Sequence, residues 1–288
     1  MVGKPVIRIK MVWVFVFYIC AKFFTHKLLE MPTLKSALAA LLFCALYQHV
    51  SAQQADSTRV ASTFSGNVGL TTNGFSIVPT FSLNAPAAVM QLSWRKKKFS
   101  FDPDFRFTLD AKKGSMLFWF RYHAIEKKRF HLRVGIHPAY NLALRTITEN
   151  GVASDVTQAR RFIAEELAPS FRILPNWSVG MYYLQGNGLQ KDGPQVTHFV
   201  TLNTSISNIK LGGGFQFQFN PAFYYLYLDG QDGWYFTETA TLSRKNWPVM
   251  LQSSINKVLK TGISGSKDFL WNVSLSYFFN RKYLAEKI

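Results

Sequence analysis

The stretch Asp268–Phe279, reading DFLWNVSLSYFF, decides the fold. Its odd positions are Phe269, Trp271, Val273, Leu275, Tyr277 and Phe279, and its even positions are Leu270, Asn272, Ser274, Ser276 and Phe278. One face is apolar and aromatic, and the other is mostly small and polar. A period of two marks a strand lying between two different environments. A soluble sandwich also gives one apolar and one polar face. Here, however, aromatics stand at both ends of the apolar face, and the stretch lies close to the end of the sequence. Strands of transmembrane barrels have this character, with apolar residues toward lipid, polar residues toward the lumen and aromatics at the two interfaces.

The same alternation recurs upstream. Phe215, Phe217 and Phe219 interleave with Gln216, Gln218 and Asn220, and Phe99, Phe101, Phe105 and Phe107 with Ser100, Asp102, Asp104 and Arg106. With 26 Phe in 288 residues, the regular Phe faces exceed what a soluble core needs. Beyond the N-terminal region no apolar run approaches the roughly 20 residues of a spanning helix, so a membrane protein of this sequence must cross as strands.

Turn chemistry divides the chain into twelve expected strands: 75–83, 87–94, 99–109, 116–125, 129–142, 160–173, 177–185, 196–206, 209–228, 234–243, 247–259 and 268–279. Asp229-Gly230-Gln231-Asp232-Gly233 is the strongest hairpin signal, Ser207-Asn208 reads as a turn, and 145–158 as the longest loop. Short connections alternate with longer ones, as in outer-membrane barrels and not in sandwiches. No 20–50-residue repeat suggests a propeller or solenoid. The expected fold is an all-β, antiparallel up-and-down transmembrane barrel of about twelve strands, over residues 75–288.

The N-terminus reads as a targeting region. From Met31 the sequence MPTLKSALAALLFCALYQHVSAQQ carries a basic Lys35, an apolar core from Ala37 to Tyr47 and a small-residue cleavage site at Val50-Ser51-Ala52, which is the form of a secretory signal peptide over 31–52. Residues 1–30 then read as a product of an upstream start or a hydrophobic leader, and 53–74 as a lead-in segment, a lumenal segment or an extra strand. Cys20 and Cys44 both precede the expected cleavage point, which excludes a disulfide framework, a thiolate nucleophile and a Cys-ligated metal in the exported part. Exported to the outer membrane, the chain would meet an oxidising compartment, where lacking thiols fits.

The full chain carries +17; removing residues 1–52, with six Lys/Arg and one acidic residue, leaves 27 basic and 15 acidic residues and a net +12. Such a balance favours anionic partners: lipopolysaccharide, anionic lipid or a small anionic solute. No nucleic-acid-binding motif is visible. The last strand would be the element offered to the barrel assembly machinery.

Parity also sorts the charges. With the Phe faces toward lipid, Asp102, Asp104, Arg106, Arg121, His123, His131, Arg133 and His137 face inward, joined by Arg160, Glu166 and Arg172. Charge on a lipid face costs a few kcal/mol near the midplane, so periodic placement forces these residues into the lumen. Two readings stay open. Asp102, Asp104 and Glu166 pair with Arg106, Arg121 and Arg133 and brace a plugged structural or interaction barrel. Alternatively, the Arg excess draws in a small anionic solute through bidentate contacts, and the barrel is a channel or binding barrel. A third possibility is an outer-leaflet lipid hydrolase with a Ser–His pair, but His followed two residues on by Ser occurs nowhere, and His198 stands far from Ser205 and Ser207 along its strand. His131 and His137, six residues apart, lie roughly 20 Å apart at about 3.3 Å per residue and cannot share a metal; no cofactor is expected. Glu238 falls on the outward face between Phe236 and Ala240, at an interface or beside a bulge.

The segments Gly74–Pro79, Phe105–Phe107, Gly135–Pro138, Ser264–Phe269 and the terminal strand resemble uncharacterised outer-membrane barrels of the Bacteroidetes. The resemblance spans essentially the whole exported chain. It implies the fold and the location and carries no chemistry with it.

Overall fold

The structure, a computed structural model, describes residues 60–78, 81–149, 152–191 and 193–284. The expected leader and signal peptide lie outside the described residues. Twelve strands form a closed antiparallel barrel in which each strand pairs with its sequence neighbours and the first closes on the last. They are β1 (Val60–Thr71), β2 (Ala87–Lys96), β3 (Phe99–Thr108), β4 (Gly114–Glu126), β5 (Phe130–Glu149), β6 (Val152–Leu174), β7 (Trp177–Gly188), β8 (Val196–Gly212), β9 (Phe215–Leu228), β10 (Gln231–Arg244), β11 (Val249–Thr261) and β12 (Phe269–Leu284). Closure leaves no edge strand. The end holding Val60 and Leu284 is termed basal, the other apical.

Four expectations change. The described residues of 75–83 are not a strand, and the first strand is Val60–Thr71, so the barrel begins upstream of residue 75. β1 hid because its outward positions Phe64, Gly66, Val68 and Leu70 include a glycine, and Gly69 interrupts its inward face. The close fit to β12 requires this: a Cβ at Gly69 would meet Ser276 Oγ and Leu275 O. Residues 75–83 alternate like a strand, but Ser76 N–H donates to Ser82 Oγ (3.0 Å), which donates to Ser76 O (2.8 Å), folding the segment back on itself.

The turn expected at Ser207-Asn208 is a bulge inside β8, where the register slips between Ile206 and Ile209 and Asn208 takes φ 55°. Asn tolerates left-handed backbone in a bulge as in a turn, so its residue type alone does not separate the two. The chain reverses instead at Gly213-Gly214, both at positive φ. The long loop expected over 145–158 is a hairpin: β5 and β6 stay paired to Glu149↔Val152, well above Phe162↔Gly188, where β7 ends.

The outward surface is strongly apolar. Phe99 is 66% exposed, Leu202 65% and Trp271 61%. No described helix is long and apolar enough to cross a membrane, which says nothing of strands. The basal rim sets aromatics beside cations: the Arg244 guanidinium lies 5.3 Å from the Phe215 ring and 4.7 Å from Trp247, and Lys98 Nζ lies 5.8 Å from Tyr122.

Candidate functional site: the lumen

The barrel interior has two unlike walls. The wall from β2 to β6 is charged. Alternation on β3 aims Asp102, Asp104 and Arg106 inward, and on β4 Trp119 and Arg121. Arg106 grips Asp104 with Nε (2.9 Å) and Nη2 (2.8 Å), and Gln91 Nε2 donates to the same carboxylate (2.8 Å). Asp102 accepts from the hydroxyls of Ser93 and Ser100 and from Arg121 Nη1 (2.9 Å). Arg121 continues to Glu166, Nε to Oε1 at 2.9 Å and Nη2 to Oε2 at 3.3 Å. Arg133 Nε donates to the same Oε1 at 2.7 Å. A chain of charge therefore runs Asp102–Arg121–Glu166–Arg133 across β3, β4, β6 and β5.

Its centre is Glu166, whose side chain is fully buried. The opening for it is Gly135, opposite both Arg121 and Glu166 in the register. A Cβ there would stand 3.0 Å from Arg121 Cγ and 3.0 Å from Glu166 Cγ, so the absent side chain lets the pair cross β5. Arg121 also stacks over Trp119, 4.4 Å from its ring, and His137 packs against the other part of this layer, 4.0 Å from Trp119.

The structure thus joins Asp102, Arg121, Arg133 and Glu166, with the Asp104–Arg106 pair on the same wall and His137 buried beside them. The other expected residues lie elsewhere. His123 stands near the basal rim, 3.5 Å from Ser100 Oγ and 3.9 Å from Glu126, itself paired with Arg95. His131 is opposite Glu126 in the register. Arg172 is exposed near the basal end of β6. Arg160 is apical and packs beside Gly193 of the β7–β8 connection. Among the described residues no group of three or more His, Cys, Asp or Glu could hold a metal.

The wall from β7 through β12 to β1 is lined largely by small neutral groups. Small hydroxyls and amides bond along it: Gln218 Nε2 to Asn220 Oδ1 (2.9 Å), Thr239 with Ser254 (3.1 Å), Asn272 Nδ2 to Ser274 Oγ (3.2 Å) and Ser274 Oγ to Thr71 Oγ1 (3.0 Å). Higher up, the same wall turns apolar. Phe199, Tyr224, Leu226, Tyr235 and Ile263 form a buried cluster inside the barrel, with the Tyr224 and Tyr235 rings stacked at 4.7 Å. Parity on β9 and β10 places Tyr224 and Tyr235 inward, a signal the Phe-to-lipid rule does not use.

The sequence reading also missed the occupant of the bore. Phe75, Ser76 and Phe81 of the β1–β2 connection stand in the lumen. Arg106 Nη1 donates to Phe75 O (3.3 Å) on the charged wall, and Phe81 packs on Phe162 of β6 (5.3 Å). On the other side Phe75 and Ser76 share with Tyr224, Tyr235 and Asn256 a cavity of about 50 Å³. One short segment therefore touches both walls.

His198 and Ser205, the candidates for a hydrolase, lie on opposite faces of β8. His198 points outward, its Nδ1 3.0 Å from the Tyr183 hydroxyl, whereas Ser205 is on the inward face and accepts from Gln218 Nε2. Glu238 stays outward; the nearby bulge adds its extra residue to β11, between Val258 and Lys260, and leaves β10 parity intact.

No family model matches the chain, and no curated protein matches it. Among solved structures, an outer-membrane channel from Pseudomonas putida F1 aligns over 80% of this chain and 100% of its own, at 11% identity and TM-score 0.49. The KdgM porin aligns over 75% and 99%, at 11% identity and TM-score 0.46. The β domain of the Bordetella autotransporter BrkA aligns over 77% and 99%, at 10% identity and TM-score 0.41. These proteins bear different names on similar barrels, so function is argued from the lumen itself.

Proposed function

We propose that the chain spans an outer membrane and passes a small anionic solute through its lumen, with residues 72–86 setting the constriction. The apolar outward face and its aromatic, cation-flanked basal rim support the membrane setting, and the exposed cations there suit anionic head groups. The observation that carries the solute reading is Arg133. It is held to Glu166 through Nε, yet its side chain remains 36% exposed toward a bore lined on the far side by small neutral groups. A guanidinium fixed in this way presents its remaining donors without the entropic cost of ordering them, which suits carboxylate or phosphate.

The test is single-channel conductance of the refolded full chain in a planar bilayer, with ion preference read from the reversal potential. Discrete steps with anion preference that weakens in Arg133→Ala are expected. Silence from a barrel that shows heat-modifiable migration overturns the channel reading. It would leave the second reading, a closed barrel acting through its apical surface, which the lumen-crossing segment and the tall β5–β6 hairpin favour. Removal of residues 75–83 separates the two: a gated bore opens, and a barrel closed by its walls stays silent.

A further inference from the structure

Charge stands midway up the outward surface on β10. Glu238 lies midway along β10 and faces outward, paired in the register with Pro221 of β9 and Ile255 of β11. Lys257, two residues apical of Ile255 on β11, is exposed on the same face. They are diagonal neighbours, yet no ion pair joins them among the described residues. Charge costs most at a bilayer midplane and little at the rims, so a mid-strand carboxylate facing lipid requires a partner. The outward carboxylate Glu165 differs, lying near the top of the β6–β7 pairing and opposite polar Gln185.

The surroundings of Glu238 are also unlike the rest of the outer surface. Pro221, Ala240 and Ser253 make a patch of short side chains on three adjacent strands. Phe223, 55% exposed, and Trp271, whose Nε1 donates to Ser253 Oγ at 3.0 Å, stand beside it. One acid and one base thus stand together beside short side chains.

We infer that this β9–β12 face is the interface of a two-fold homodimer, in which Glu238 of each copy pairs with Lys257 of the other. The inference rests on the membrane setting proposed above and is independent of conduction. A two-fold axis along the membrane normal brings one patch against itself and matches residue i with j and j with i. An acid and a base side by side on one face are self-complementary under that operation. Lys257 stands two residues, roughly 7 Å along the strand at about 3.3 Å per residue, from the level of Glu238, which the four-carbon stem of lysine spans. Docking withdraws both charges from lipid and satisfies them together, whereas an uncharged partner surface would leave both unpaired.

The experiment counts copies of the full chain in liposomes at high dilution by stepwise photobleaching, after flotation establishes insertion. Wild type is expected as dimers. Glu238→Lys and Lys257→Glu, each alone, bring like charges together, and the dimer dissociation constant should rise about a hundredfold, roughly tenfold for each of two lost pairs. Mixing the two variants should restore dimers, all of them mixed. Intramolecular pairing of Glu238 with Lys257 predicts no rescue on mixing. Floating wild-type monomers overturn the interface alone. Failure to float overturns the membrane setting and the interface with it. Should a reversal variant fail to insert, wild-type stoichiometry still decides.

Discussion

The two lumen walls solve one problem in different ways. Between β2 and β6, polar side chains are long, charged and tied to each other across four strands. Between β7 and β1, they are short, neutral and bonded to near neighbours. The first wall holds its register through charges that have nowhere else to go, with Glu166 fully enclosed. The second gains less from each bond and leaves room beside it. One side of the bore is braced by paired acids and bases, and the other is lined by small neutral groups.

The largest expected effect tests whether the bore is blocked by its first connection. Deleting residues 75–83 removes the strap between Arg106 and the Tyr224–Tyr235 cluster. Conductance should rise by about an order of magnitude, scaling with the area released, and an unchanged trace would place the block in the walls. Next comes Glu166→Ala, which removes the carboxylate that Arg121 and Arg133 share and leaves Arg121 with Asp102 alone. It should cost about 3–5 kcal/mol in denaturant unfolding of the detergent-solubilised barrel. Gly135→Ala inserts a methyl into the Arg121–Glu166 crossing and should cost about 1–3 kcal/mol in the same assay. On the neutral wall, Thr239→Ala removes a hydroxyl pair and should cost about 0.5–1.5 kcal/mol. Equal losses at Glu166 and Thr239 would erase the distinction between the walls.

The smallest effect lies outside both. Asp110, in the β3–β4 connection, accepts from Thr108 Oγ1 and Lys112 N–H, which hold its carboxyl below the usual range. A depressed folded-state pKa contributes stability above the unfolded value of about 3.9 and loses it as pH falls through the folded one. Asp110→Asn should lower stability slightly at pH 7, leave it unchanged near pH 2 and so flatten the acid limb, as read from unfolding midpoints between about pH 7 and 2.

Much of this organisation was legible as alternation. Phe99, Phe101, Phe105 and Phe107 placed Asp102, Asp104 and Arg106 inward, and the structure has them there. Parity likewise kept His198 and Glu238 outward. What it could not give was partnership. Arg121 and Glu166 are 45 residues apart and meet only because Gly135 lies between them on the intervening strand. Residues 75–83 and 60–71 exchanged roles for a related reason. The first alternates but is closed by its own Ser76–Ser82 bonds, and the second alternates poorly because its neighbours approach too closely for side chains.

The sequence by itself determined the class, the strand count and the alternation that turns Asp102, Asp104 and Arg106 away from the Phe face of β3, because a period of two is a local property of the backbone. Only the tertiary structure decided which charges neutralise each other, which segment fills the bore and where β1 runs. Those depend on register between strands far apart in the chain, and register is set by closure of the whole barrel.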